Sequence, residues 1–230
     1  MVFKKSFLIL LLFILAILTA CSGASTSEQI YDHLEKAVEL EDTFVKQQDP
    51  IVELEKKEQE IYSQIIDLGM NEFEQIKELS NQAIENIEKR KEKIELEKES
   101  IAASKEEFTK IESMIEDLEQ EDAQKNAKEM YSVMTDRYNA YDKLYQAYSE
   151  TLKLEKDLYT MLQKEDLEQE TLTKHITKVN DSYQQVIAAN ETFNERTTEY
   201  NALKEEFYSA AGIDAEYENN APTGEKNSTE

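Results

Sequence analysis

The side chain with the most chemistry open to it is Cys21, the only cysteine among 230 residues. It follows Leu18, Thr19 and Ala20, and ahead of these lie Lys4, Lys5 and an almost unbroken apolar run from Phe7 to Leu18. Charged, then apolar, then small is the layout of a secretory signal. The run is shorter than the roughly 20 residues a membrane span needs. A cysteine after a leucine and two small residues reads as a lipobox. The Cys21 thiol is alkylated by a diacylglycerol, and small side chains at Thr19 and Ala20 let a peptidase reach the bond before Cys21. Two acyl chains on one residue meet the requirement for stable anchoring. An ordinary signal peptide with an incidental cysteine is the bland alternative. A lone cysteine makes no intramolecular disulfide. The expected layout is a signal over 1–20, a polar tether over 21–27 and a folded domain over 28–212.

The tyrosines are the next candidates. Tyr131, Tyr138 and Tyr145 recur every seven residues, with Tyr141 and Tyr148 beside them. An exposed stripe of such rings could stack on sugars and hydrogen-bond to them. The same rings alternate with Met134 and Leu152, which equally suits a helix core with hydroxyls reaching its edge. His33 and His175 have no cysteine, second histidine or Glu-x-x-His partner at metal spacing, so no metal site is expected. The many carboxylates, such as Glu53, Glu55, Glu58 and Glu60, read as a solvated face beside lysines. No nucleophile elbow, phosphate loop or calcium-binding loop occurs, and no catalytic residue or cofactor is expected beyond the lipid on Cys21.

These residues sit in a composition of long helices: rich in Glu, Lys, Gln, Leu and Ile, with four glycines, two prolines and no tryptophan. Fifty acidic against 26 basic residues give a net charge of −24. That excludes nucleic acid, whose binders present a basic face, and flat docking on anionic lipid. A first helix is expected from near Ser27 to Gln48, with Asp49-Pro50 as a break and restart. A second carries Ile51, Leu54, Ile61, Ile65 and Leu68, with Glu58 a gap in its stripe. Gly69 and an Asn71–Glu74 capping pair then predict a kink or interruption. The third helix runs from Phe73 to Leu118 on a coiled-coil seam, with Arg90 and Glu97 as polar seam residues whose heads snorkel outward. A buried ligand site around them is the sharper reading.

A polar turn over Glu119–Asp122 precedes a fourth helix. That helix has two apolar stripes and hence two neighbours. Asp166 with Gln169 caps a fifth helix, with Asn190 in its seam and Gly212 at its end. Residues 213–230 read as a disordered acidic tail. The fold class is all-α: an elongated up-and-down bundle, three to four helices in cross-section.

The LTAC box and the run from Glu53 to Ile101, above all Ile65-Ile66-Asp67-Leu68-Gly69-Met70 and Glu88-Lys89-Arg90-Lys91, resemble the YkyA family of cell-wall-binding lipoproteins of Gram-positive bacilli. The resemblance covers roughly Cys21 to Ala211. It implies an elongated helical bundle anchored by lipid on the outer face of a Gram-positive cytoplasmic membrane, with the membrane and the cell wall as partners. It supplies no catalytic residues. The expected function is a cell-wall-binding or spacer role. A membrane-active or host-interacting helical surface protein is the alternative, and a cell-wall hydrolase comes third.

Overall fold

Charged and apolar residues alternate at helical spacing along nearly the whole chain, and helices follow. The computed structural model describes residues 24–68 and 72–214. They form α1 (Thr26–Leu40), α2 (Asp42–Asp67), α3 (Phe73–Phe108), a 3-10 segment (Thr109–Asp117), α4 (Glu121–Leu162) and α5 (Gln169–Ala211), with no strand among the described residues. The fold is an elongated all-α bundle. α1 and α2 run end to end as one interrupted rod, and α3, α4 and α5 each run antiparallel to the rod before. The 42 residues of α4 make it about 60 Å long. The signal, Leu18, Thr19, Ala20 and Cys21 lie outside the described residues, as do Gly69, Asn71 and the tail from 215 onward.

α1 starts two residues before the expected boundary at 28. Ser25 is its cap: the Glu28 N–H donates to Ser25 Oγ at 3.2 Å, and the Ser25 N–H donates to the Glu28 carboxylate at 2.6 Å. This reciprocal pair satisfies two donors that no helical carbonyl can reach. At the other end Gly212 takes a left-handed conformation, φ +69, as the sequence predicts. The Ile213 N–H then closes onto the Tyr208 carbonyl at 2.9 Å, and Ile213 packs against the core.

The first break falls at Glu41, not at Asp49-Pro50. Pro50 lies inside α2, where its ring removes one helical hydrogen bond. What interrupts the rod is side-chain chemistry from its neighbours. Ser100 of α3 donates to the Leu40 carbonyl at 2.5 Å and accepts from the Phe44 N–H at 3.1 Å. Both groups are orphaned by the interruption. Glu41 itself turns inward and accepts from both Nη atoms of Arg137 on α4, each at 2.7 Å, and from Ser104 at 2.9 Å. The break is therefore set by two neighbouring helices, α3 and α4, and no local side chain caps it.

The interruption expected before Phe73 is present: α2 ends at Asp67 and Leu68 is extended (ψ 146). Two other expectations change. The helix expected through Leu118 tightens to 3-10 after Phe108, although Ile111, Ile115 and Leu118 stay buried. Neither glycine nor proline in that segment requires the change. The cap residue of α5 is Glu168, whose side chain makes no capping bond, and Asp166 plays no such part.

Two apolar clusters fill the bundle. At the end where the chain starts, α1, the 3-10 segment, α4 and the last turns of α5 enclose Leu34, Phe108, Ile111, Met130 and Phe207. At the opposite end α2, α3 and α4 enclose Ile61, Ile65, Ala83, Ile87 and Leu152, with no residue from α5. Replacing Ser100 by alanine should strip both orphaned backbone groups of their partner and destabilise the fold by about 1–3 kcal/mol, measured by urea denaturation.

Candidate functional site

The early half of α5 is left out of the second cluster, and an open cleft of about 450 Å³ lies there. α2 forms one wall and α5 the other, with α3 and α4 beneath. α5 brings apolar Val179 and Val186. The cleft also contains the most heavily buried charges of that end of the bundle. Arg90 of α3 is 4 % exposed. Its Nη2 lies 3.0 Å from the carboxylate of Glu58 on α2 and pairs as well with the carboxylate of Glu155 on α4. Tyr183 of α5 donates to the second oxygen of Glu155. Tyr148 donates to Glu55 at 2.6 Å and carries the Arg90 guanidinium 5.7 Å from its ring centre.

Burial, joined at Glu58 by the neighbouring Glu155 carboxylate, raises the pKa of both Glu58 and Glu155 against the pull of Arg90. Burial works against the charge on Arg90. The anionic neighbours more than offset it, so the guanidinium stays charged. Two groups remain without a hydrogen bond: Arg90 Nε, and Glu58 Oε2, which is close to Arg90 but not aligned with it. The outward-snorkelling reading of Arg90 is thus corrected. Its head is buried because carboxylates from two other helices meet it there.

Glu97 is also buried, 6 % exposed, with Gln48 donating to it at 2.5 Å. Its head does not snorkel either. Burial pushes its pKa up to about 8.

The tyrosine stripe does not act as one surface. Tyr138 and Tyr141 are buried; Tyr138 meets Ser104 at 2.9 Å, and Tyr141 packs its edge on Phe44. Tyr131 is half-buried and stacked on Phe108 at 5.4 Å. Tyr145 donates to Glu95 at 2.6 Å. Of the five, only Tyr148 lines the cleft, where Tyr62, Tyr159 and Tyr183 join it. Asn190, expected in a seam, is exposed. His33 pairs with Glu107 at 2.6 Å, and His175 Nε2 donates to the Leu154 carbonyl at 2.7 Å. Among the described residues no three His, Asp or Glu side chains group to hold a metal ion, and no helix is long and apolar enough to cross a membrane.

Sequence reasoning passed over Glu58 and Glu155, yet both leave a visible signal. Glu58 stands between Ile51 and Ile65 in a seven-residue series, and Glu155 between Tyr148 and Leu162. With Arg90 in a third seam, two acids and one base interrupt three apolar stripes, and opposite charges at core positions must meet.

Fold and cleft together define a class: an elongated helical bundle that offers a largely apolar groove with a few charged groups between two of its helices. The YkyA family, described as "Putative cell-wall binding lipoprotein", matches residues 25–210. The chain belongs to that family. It is 37% identical over 196 residues to the uncharacterized lipoprotein YkyA of Bacillus subtilis strain 168, covering 85% of this chain and 88% of the relative. The fold also resembles a 1.6 Å crystal structure of a conserved protein of unknown function from Staphylococcus aureus. That likeness has a TM-score of 0.60 at 13% identity, over 82% of this chain and 98% of the other, and it concerns the fold alone.

Two outcomes follow from the buried charges. Arg90→Met should leave two carboxylates facing each other in the cleft and destabilise the protein by about 3–5 kcal/mol at neutral pH, measured by chemical denaturation. Glu97 binds its proton more tightly folded than unfolded, so stability should fall as pH rises from about 4.5 towards 8. Glu97→Gln keeps the acceptor for Gln48 without that titration. Its melting temperature should match the parent near pH 5 and exceed it at pH 8.

Proposed function

We propose that the protein is a lipid-anchored, extracytoplasmic wall-binding protein. Cys21 carries the diacylglycerol at the outer face of a Gram-positive cytoplasmic membrane, and the bundle stands away from that surface. The observation that carries this reading is the position of the lipobox directly ahead of the rod. Cys21 lies only four residues before the Ser25 cap of α1. From the start of α1, the α1–α2 rod reaches Glu58 after about 50 Å. An anchor at Cys21 thus holds the far cleft out from the lipid headgroups and towards the wall. The strong negative charge keeps the protein body off anionic lipid and leaves the acyl chains as the attachment. Binding is proposed over hydrolysis because the two buried carboxylates of the cleft share one guanidinium, and Tyr183 occupies Glu155 further. Neither is placed as a free acid or base.

Labelling cells with radioactive palmitate tests the anchor. The parent should take up label and fractionate with membranes, whereas Cys21→Ala should carry no label and lose its membrane association. Label on the Cys21→Ala protein would remove the basis of the reading. Sedimentation of the detergent-solubilised protein with isolated wall tests the binding.

A further inference from the structure

The bundle buries two arginines, and they are treated differently. Arg137, near the α1–α2 break, is fully engaged. Both Nη atoms clasp Glu41, Nε donates to Thr197 at 2.9 Å, and the guanidinium lies 4.7 Å from the Phe193 ring centre. That cluster is closed and structural. Arg90 lies beneath an open cleft, and its Nε has no acceptor. Beside it Glu58 Oε2 lies 3.0 Å from Arg90 Nη2, an ion pair without an aligned hydrogen bond. Buried polar groups that lack hydrogen-bond partners are rare and costly. Here an N–H with no acceptor stands beside a carboxylate oxygen held by charge alone, under tyrosine rings and apolar wall.

From this arrangement we infer that the cleft is a ligand site for a neutral sugar ring bearing hydroxyl and amide groups, as in an N-acetylated glycan strand. The inference rests on the wall-binding reading and names its chemistry. A hydroxyl or acetamido group supplies a donor and an acceptor at once, which neither a phosphodiester nor an ammonium group does. An anionic polymer meets Glu55, Glu58 and Glu155 against a single arginine, in a chain of net charge −24. A cation is drawn by those carboxylates but offers the Arg90 Nε no acceptor. Tyr62 and Tyr148, both half-buried, offer aromatic surface to the apolar face of a sugar, and Gln59 and Asn180 add amides at the exposed rim. Few, placed polar groups in an apolar cleft between helices are the usual makings of a small-ligand site.

Isothermal calorimetry on the full-length lipoprotein in detergent tests this, with fully N-acetylated chitotetraose as the neutral probe, polyglycerol phosphate as the anionic one and deacetylated chitosan oligomer as the cationic one. Chitotetraose should bind saturably and the other two should not. Val186→Trp, which fills the cleft from a half-buried position, should weaken chitotetraose at least tenfold. Asn180→Ala on the exposed rim, which leaves the core untouched, should weaken it several-fold. Lys110→Ala, remote from the cleft, should leave it unchanged. No saturable chitotetraose binding, binding that survives both cleft variants, or preference for either charged probe would overturn the inference. Sedimentation with isolated wall separates the two readings. Wall binding that persists in Val186→Trp sinks the cleft assignment alone. Chitotetraose binding by a protein that ignores isolated wall sinks the wall reading alone.

Discussion

A guanidinium leaves water only where anions receive it, and that constraint fixes this bundle. Apolar seven-residue seams are forgiving of register, since sliding one helix past another by a turn brings one aliphatic side chain where another was. Charges are not forgiving. A slide of one turn, about 5.4 Å, would take Arg90 of α3 away from Glu58 of α2 and Glu155 of α4 together, leaving three ions buried and unpaired. Tyr183 extends the same lock to α5. Arg137 repeats the device elsewhere, joining the Glu41 break to α4 and, through Thr197, to α5. Arg137 and Glu155 lie 18 residues apart on α4, or about 27 Å. Two polar locks that far apart leave the apolar seams between them one register. A buried ion pair is weak evidence for stability, but setting register is the role best attested for such groups.

Much of the fold was legible because helical periodicity is local. The seam of α3, the two stripes of α4, the stop at Gly212 and the interruption before Phe73 can all be read from spacing and capping residues. The break at Glu41 was not legible. Asp42 and Thr43 follow it but make no cap, and Asp49-Pro50 eight residues on carries a stronger local signal. The break depends on Ser100, Ser104 and Arg137, which lie 59 to 96 residues away in sequence and approach only once the helices pack. The site was half legible. Arg90 stood out as a base in an apolar seam, but Glu58 was passed over as a gap and Glu155 as one acid among many. Composition hid them: in a chain with 50 carboxylates, two at core positions attract no notice unless seams are compared across helices. The tyrosine series, in contrast, was conspicuous and mixed. Regular spacing put the rings on one side of α4. It could not tell which would meet a neighbouring helix, because that depends on where α2 and α5 stop covering α4.

That uneven covering is the physical origin of the cleft. Near the chain start, α5 contributes Tyr200, Leu203, Phe207 and Tyr208 to the shared core and closes the bundle. Toward its beginning it offers Val179 and Ser182 as buried residues, while Tyr183 and Ile187 remain substantially exposed. With so little apolar surface there, α5 cannot close over α2, and what holds it at that end is polar: Tyr183 to Glu155, and His175 to a carbonyl of α4. An apolar α5 would have sealed the bundle and excluded water from Arg90. The polar one leaves the charged cluster beside an opening. The same substitution of polar for apolar residues creates the groove, so the stretch of α5 that buries least is also the one with chemistry to offer a ligand.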